Sequence, residues 1–388
     1  LKFPRPTAET LGAKMAGGKR PAEEAEDEAP APLGVAGSLP AEEAAAVAAL
    51  FGLRSGASAL IVGDGNLSFA SAVVALGTGC KITATTYEGE EEHQSRFTGS
   101  ASAVAGLRVA GARVAHGVDA VDLTGTLPVD SRGPFDRIIF QFPQHPERRK
   151  IHKHRELLRG FFASAVEHLE DHGEIVVSLC RGQGGTAAEE VEKRGKDTWQ
   201  VQDAAAEAGL ILRSVQPCPV SQLAVLGYGR TGFRGSGLRE ANAEVYQDRA
   251  FNSSGSLTHS FCRESEGAIA AFPMQWSSDI GFWTLEDFQE DDFRRVVMEA
   301  CGPGVEPALT LLDAYVSPEG RRARTYRIAV SVDKRAIPRS SWLQMCESVR
   351  KRMAAAGATP RQGAQTQQER PAEEGRASEA CGGEGPAA

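Results

Sequence analysis

An apolar run, Ala59-Leu60-Ile61-Val62, leads straight into Gly63-Asp64-Gly65-Asn66-Leu67-Ser68-Phe69, and a small-residue stretch, Ala70 to Ala75, follows. The run reads as a strand buried on both faces and the stretch as a helix. Strand, glycine turn, helix is a layout that brings backbone N–H groups and a helix N-terminus up to a ligand. Ser68 stands where the third glycine of a dinucleotide fingerprint would be. The turn therefore suits a compact nucleoside ligand such as S-adenosyl-L-methionine better than a nicotinamide. A tight turn with no ligand is the plain alternative.

The rest of the first half repeats the rhythm. Further apolar runs occur at Lys81–Tyr87, Ala112–Val118, Phe135–Phe142, Glu174–Cys180, Leu210–Val215 and Thr258–Arg263, with helical segments between them. Strands alternating with helices imply crossover units and a mainly parallel sheet. Residues 51–265 thus read as a Rossmann-like, seven-strand methyltransferase sheet of the α/β class. Ligands of such sheets bind outside the carboxyl ends of the strands.

Residues 272–355 change rhythm. Strands are expected at Asp279–Thr284, Leu309–Val316 and Arg324–Val332, and helices at Asp291–Ala300 and Ser340–Met353. That order, β-α-β-β-α, is a small α+β ferredoxin-like unit lacking its last strand. Residues 1–50 and 356–388 are rich in Ala, Glu, Gly, Pro or Gln and read as disordered tails. The chain begins with Leu1, and Met15 reads as a start site.

Net charge is −8, which alone disfavours nucleic acid, but acidic tails supply much of it and basic clusters lie inside the folded parts. Local patches, not total charge, decide phosphate binding. No apolar run approaches the ~20 residues that span a bilayer, so no membrane partner is expected. The seven cysteines are scattered without a C-x-x-C pair. That pattern disfavours a metal site or a disulfide scaffold and fits an intracellular, reducing compartment.

Candidate site residues collect at strand ends. Glu88 closes the second strand, some 20 residues past the glycine turn, where an acid meets ribose hydroxyls. Asp119 closes the third, where an adenine amino group would be met. The fourth strand ends in Gln141-Phe142-Pro143. An amide and an aromatic ring there can hold a base by its edge and face. Phe140 and Phe142 as two core residues on one strand face is the competing reading. His145 follows. From His145 to Arg159 the chain holds six Lys or Arg against two acids. Among them Arg148, Arg149, Lys150, Lys153 and Arg155 are candidates for an RNA backbone, with a solvated helix face as the alternative. Two glycine-rich loops, 181–186 and 227–235, interleave glycine with charged or aromatic residues. Tyr228, Arg230 and Arg234 suit stacking and phosphate contact. In the second half, nine acids in 279–313 face ten Lys or Arg in 319–352. Arg324 and Arg327 are candidates for a phosphate backbone, unless the two halves neutralise each other.

These motifs together resemble a known family. Gly-Asp-Gly-Asn-Leu-Ser-Phe, Thr-Tyr-Glu, Gly-Val-Asp-Ala and Phe-Asp-Arg-Ile-Ile-Phe-x-Phe-Pro look like the methyltransferase domain that modifies N3 of a uridine in large-subunit rRNA. Leu179-Cys180-Arg181-Gly182-Gln183-Gly184-Gly185-Thr186, with Trp199-Gln200-Val201, is similar to a subgroup that fuses this domain to a ferredoxin-fold anticodon-binding domain. The segments Ser278 to Trp283, Asp291-Asp292-Phe293, Leu312 to Val316 and Thr325 to Ile328 resemble the anticodon-stem-binding end of phenylalanyl-tRNA synthetases.

The resemblance implies that Gly63, Asp64, Gly65, Asn66 and Ser68 hold S-adenosyl-L-methionine, with Glu88 on its ribose and Asp119 near its adenine. It implies Gln141, Phe142 and His145 at the reacting base, with His145 or Asp119 taking a proton. The sequence departs from the family at Gln141, where Asn is usual, at Gln144, where His is usual, and at Ser278, where Arg is common. The expected function is methylation of RNA, rRNA first and tRNA second, in the nucleolus or the cytoplasm. Two other classes stay open: a non-catalytic RNA-binding scaffold, and a dinucleotide-dependent oxidoreductase suggested by Gly63-x-Gly65 and Glu88.

Overall fold

Burial along β1 (Ser58–Val62) is nearly continuous and sets the centre of the molecule. The computed structural model describes residues 37–97, 99–145, 150–190, 195–230, 251–265 and 267–361. Side chains of β1 alternate between two cores, as the pleat requires. Leu60 and Val62 join Ile138, Phe140, Phe161 and Leu212 on one side. Ala59 and Ile61 join Phe69, Val73, Leu107 and Ile139 on the other. A strand buried on both faces needs helices on both faces. α6 (Ile151–Val166) and α7 (Val201–Glu207) cover the first side. The second is covered by α1 (Ala41–Leu50), α2 (Ser68–Ala75), α4 (Ser100–Val109) and α8 (Val220–Val225).

The remaining strands are β2 (Lys81–Thr85), β3 (Arg113–Ala115), β4 (Phe135–Gln141), β5 (Leu169–Leu179), β6 (Leu210–Pro217) and β7 (Leu257–Arg263). Their order is β3-β2-β1-β4-β5-β7-β6. The seven expected strands form one sheet, as the sequence pattern required. β1 runs parallel to β2 and to β4, with Ala59 beside Ile82 and Arg137. β7 enters antiparallel between β5 and β6. That insertion departs from the 3-2-1-4-5-6 order of dinucleotide-binding sheets and weighs against the oxidoreductase. The order reverses between β1 and β4, so the ligand crevice of such a sheet lies there.

A second sheet follows, from β8 (Met274–Trp283), β9 (Ala308–Val316), β10 (Arg322–Val332) and β11 (Thr359–Pro360), in the order β11-β8-β10-β9. Every neighbouring pair is antiparallel. α9 (Glu290–Cys301) and α10 (Arg339–Ala355) bury Phe293, Val297, Trp342 and Val349 against Phe282, Tyr326 and Ile328.

Three expectations are corrected. The ferredoxin-like unit does not lack its last strand: Thr359 pairs with Trp283 and Pro360 with Phe282. Two residues ending in proline, inside a tail-like composition, carry no alternation to read. The span 1–50 is not wholly a tail, because α1 buries Val47 and Ala48 and Gly37 N–H donates to Val225 O at 2.8 Å. Its alanines are good helix formers that low-complexity composition disguises. β8 begins at Met274, five residues early. Its polar Ser278 is buried and accepts the Trp342 indole N–H at 3.0 Å.

The two sheets are tied by backbone bonds. Ala271 N–H donates to Leu212 O at 2.8 Å and Ala270 N–H to Asp333 O at 2.6 Å. Asp203 of α7 accepts the Arg339 N–H at the start of α10, at 2.7 Å.

Candidate active site

Gly63 ends β1 with φ of 63°, and a Cβ there would lie 3.0 Å from the Phe140 ring. Glycine alone meets both demands without strain. The Asp64 carboxylate accepts the Ala70 N–H at 2.7 Å. Burial pushes its pKa up to about 6, against the lowering effect of the Ala70 and Phe69 amides. The Asp64 carboxylate therefore serves the first turn of α2.

Asn66 and Ser68 are also engaged. Asn66 Nδ2 donates to Gly229 O at 3.0 Å, and its Oδ1 accepts the Ser68 N–H at 3.1 Å. Gly229 N–H donates to Ser68 Oγ at 3.0 Å. The Ser68 hydroxyl is 2.7 Å from Asn66 Oδ1 and 2.9 Å from Gly229 O. The pair straps the segment 227–230 down onto the glycine turn. Tyr228 sits edge-on to Phe69 at 5.6 Å and is half-buried, and the desolvation of its hydroxyl pushes the pKa well up. Arg230 donates to Phe251 O at 3.2 Å and to Ser253 Oγ. Tyr228 and Arg230, expected on RNA, close the site from within; Arg234 lies outside the described residues.

Glu88 is 5% exposed and takes a guanidinium N–H of Arg96, from α3 (Glu90–Arg96). Behind it His93 and His116 lie with ring centres 4.9 Å apart, both held below the usual histidine pKa by burial. Asp119 Oδ1 accepts the Val121 N–H at 3.0 Å, and Asp119 N–H donates to Thr126 Oγ1 at 3.0 Å. The carboxylate is thus fixed by its own turn.

At the end of β4 the strand alternation stops. Phe140 stays in the core, 4.9 Å from Phe161. Phe142 leaves the strand with φ of 49°, a left-handed conformation that a bulky residue adopts only under constraint. Its N–H donates to Ser178 O at 3.0 Å and its ring meets Phe251 edge-on at 4.8 Å. The two-core-phenylalanine reading therefore holds for Phe140 only. Gln141 Nε2 points to Cys218 Sγ at 3.8 Å, leaving its Oε1 buried without a partner. His145 N–H donates to His154 Nδ1 at 3.2 Å, and the His154 ring stacks on Trp199 at 4.1 Å.

One cavity of about 440 Å³ draws these pieces together. Gly63, Asp64, Gly65, Asn66, Glu88 and Asp119 line it with Gln141, Phe142, His145 and Tyr228. Ser68 does not. Tyr87, Phe97, Glu156, Gly160 and Phe251 also line it and were not singled out from sequence. Gly160 had a legible signal, a lone glycine in a helical stretch. Phe251 had none.

Among the described residues of the basic segment, Arg155 and Lys153 are engaged within the chain. Arg155 donates to Thr198 O at 2.6 Å and Gly195 O at 2.9 Å. Lys153 pairs with Glu156 at 2.7 Å. Lys150 is exposed. Arg148 and Arg149 lie outside the described residues. In the glycine-rich loop after β5, Gly182 and Gly184 N–H groups donate to Glu189 at 2.7 and 3.0 Å. In the second sheet Arg327 pairs with both carboxylate oxygens of Asp279, at 2.8 and 2.9 Å. Arg324 lies 3.6 Å from Glu290. The acidic and basic halves of this unit thus neutralise each other at the very arginines expected on RNA. Among the described residues no group of three or more His, Cys, Asp or Glu could hold a metal ion. Among them no helix is long and apolar enough to cross a membrane.

Residues 60–224 match the model of a family described as rRNA (uridine-N3-)-methyltransferase BTM5-like. The chain is 40% identical over 206 residues to the ferredoxin-fold anticodon-binding domain-containing protein 1 homolog of Mus musculus, covering 52% of this chain and 30% of that protein. The Homo sapiens protein of that name is 38% identical over 205 residues, covering 53% and 30%. The chain therefore spans 30% of the length of both mammalian relatives. Among solved structures, a 30S ribosomal A1408 methyltransferase from an uncultured bacterium matches at 12% identity and a TM-score of 0.35, covering 58% of this chain and 95% of that one. That likeness is too slight to bear on function.

Proposed function

We propose, from the match of residues 60–224 to the model of the BMT5-like rRNA (uridine-N3-)-methyltransferase family, that the chain is an S-adenosyl-L-methionine-dependent RNA methyltransferase acting on N3 of a uridine. The observation that carries this reading is the cavity at the β1/β4 crevice. It gathers the glycine turn, Glu88 and Asp119 with Gln141, Phe142 and His145 in one lining.

The residues present fit the cofactor. Gly63 leaves its backbone bare where a Cβ would strike Phe140. Glu88, held by Arg96, offers a carboxylate to ribose hydroxyls, and Asp119 is fixed at the neighbouring strand end. Asn66 and Ser68 act one step back, by holding Gly229 in place. When bound, the cofactor supplies an electrophilic methyl group.

The chain's own residues then orient the base and move its proton. Uracil N3 carries a hydrogen that must leave for N3 to become nucleophilic. His145 and Asp119 are the candidates to accept it. We assign His145, because it follows the Gln141-Phe142-Pro143 edge directly and its backbone is anchored to His154. Phe142, constrained at φ of 49° and braced by Phe251, offers a ring face to the base. Positioning is the main catalytic contribution in this scheme.

One observation favours a second reading. Gln141 turns its amide onto Cys218 and keeps Oε1 buried. Such a strand end suits a scaffold that binds RNA without transferring methyl groups. Calorimetric titration of the chain with S-adenosyl-L-methionine separates the two. Micromolar binding, followed by methyl transfer to uridine-containing RNA that is lost in His145→Ala, supports the enzyme. A folded protein that does not bind supports the scaffold.

A further inference from the structure

Gly160 lies within α6, where glycine is unfavourable by roughly 1 kcal/mol relative to alanine. Its neighbour explains the residue. A Cβ on Gly160 would lie 2.7 Å from Val121 Cγ1 and 2.9 Å from Val121 Cβ. Real Cβ atoms do not approach so closely, and the obstacle is not the loose end of a long side chain. Val121 Cβ moves only with its backbone, so an added methyl must displace the residue as a whole.

Val121 is coupled to the cavity. Its backbone N–H donates to Asp119 Oδ1 at 3.0 Å, and Asp119, Ala120 and Val121 all line the cavity together with Gly160 itself. We infer that Gly160 is a positioning residue for the nucleoside end of the site: the bare helix face lets the 119–121 turn settle where Asp119 can meet the ligand. The inference rests on the cofactor reading proposed above. It assigns to a helix glycine a share in ligand affinity, through contact with a neighbouring turn rather than with the ligand alone.

The test is a double-substitution cycle read by calorimetry with S-adenosyl-L-methionine, with thermal unfolding recorded for each protein. Gly160→Ala is expected to weaken binding about tenfold, the scale of coupling between residues in contact. Adding Val121→Gly to Gly160→Ala removes the obstructing side chain, Cβ included, and is expected to recover most of the affinity. Loss and rescue together are a signature that general loosening of α6 would not produce. The double variant also keeps the test open if Gly160→Ala alone fails to fold, since its own affinity is then expected near that of the unsubstituted chain. Equal affinity in the unsubstituted chain and a folded Gly160→Ala overturns the inference alone. So does a loss that Val121→Gly does not relieve. Absence of binding by the unsubstituted chain overturns the cofactor reading, and this inference with it.

Discussion

Asp64 accepts the Ala70 N–H at 2.7 Å, so the acid of the glycine turn serves the helix that the turn introduces. Leu67, at φ of 60°, gives the left-handed step that lets the chain double back between them. The turn is therefore held from inside, and its residues line the cavity.

Because burial raises the Asp64 pKa to about 6, the folded state holds that proton more tightly than the unfolded chain does. The contribution is fully present below about pH 4 and is lost as pH rises through about 6. Alone it amounts to as much as about 3 kcal/mol. His259 has the opposite sign. Burial lowers its pKa to about 4, so its contribution is present above about pH 6.5 and lost as pH falls through 4. His93, His116 and His168 are lowered in the same direction. Denaturant melts between pH 7 and 4 are expected to show stability declining on acidification. In Asp64→Asn the decline should be steeper, because the opposing group is gone. A shallower decline in that variant would refute the assignment.

Ser68→Ala removes the acceptor for the Gly229 N–H. A destabilisation of about 1–2 kcal/mol is expected for the orphaned group. Hydrogen exchange at the Gly229 amide should accelerate, while amides of β6 stay protected. Unchanged exchange at Gly229 would show that Asn66 alone carries the strap.

Lys150 and Arg155 are expected to behave differently despite their common segment. Arg155→Ala loses bonds to Gly195 O and Thr198 O and should lower the melting temperature. Lys150→Glu reverses a charge on an exposed side chain. It should weaken RNA binding and reduce the salt slope by about one. A salt slope identical to that of the unsubstituted chain would return this segment to an ordinary solvated face.

Arg327→Ala should scarcely alter RNA affinity, because Asp279 already neutralises that guanidinium. Its exposed ion pair adds little to stability. A large loss of RNA affinity, measured by filter binding, would show that RNA displaces Asp279.

Much of the architecture is legible in the amino-acid sequence. Buried-strand runs, a glycine turn and interleaved helical segments require a sheet with helices on both faces, because no other arrangement buries those runs. The ends of its strands then mark Glu88, Asp119 and Gln141 as neighbours of one crevice. These are consequences of local pattern, and local pattern is written along the chain. Tertiary structure decided which polar groups remain for a ligand. Asp64 and Ser68 carry the right chemistry at the right spacing, yet α2 and Gly229 claim them. Arg155, Arg324 and Arg327 look like a basic footprint, yet carbonyls and carboxylates distant in sequence already satisfy them. Phe251 reaches Phe142 from more than a hundred residues away. A hydrogen bond or a ring contact belongs to two positions at once, and one-dimensional spacing records only the first of them until the fold brings the second.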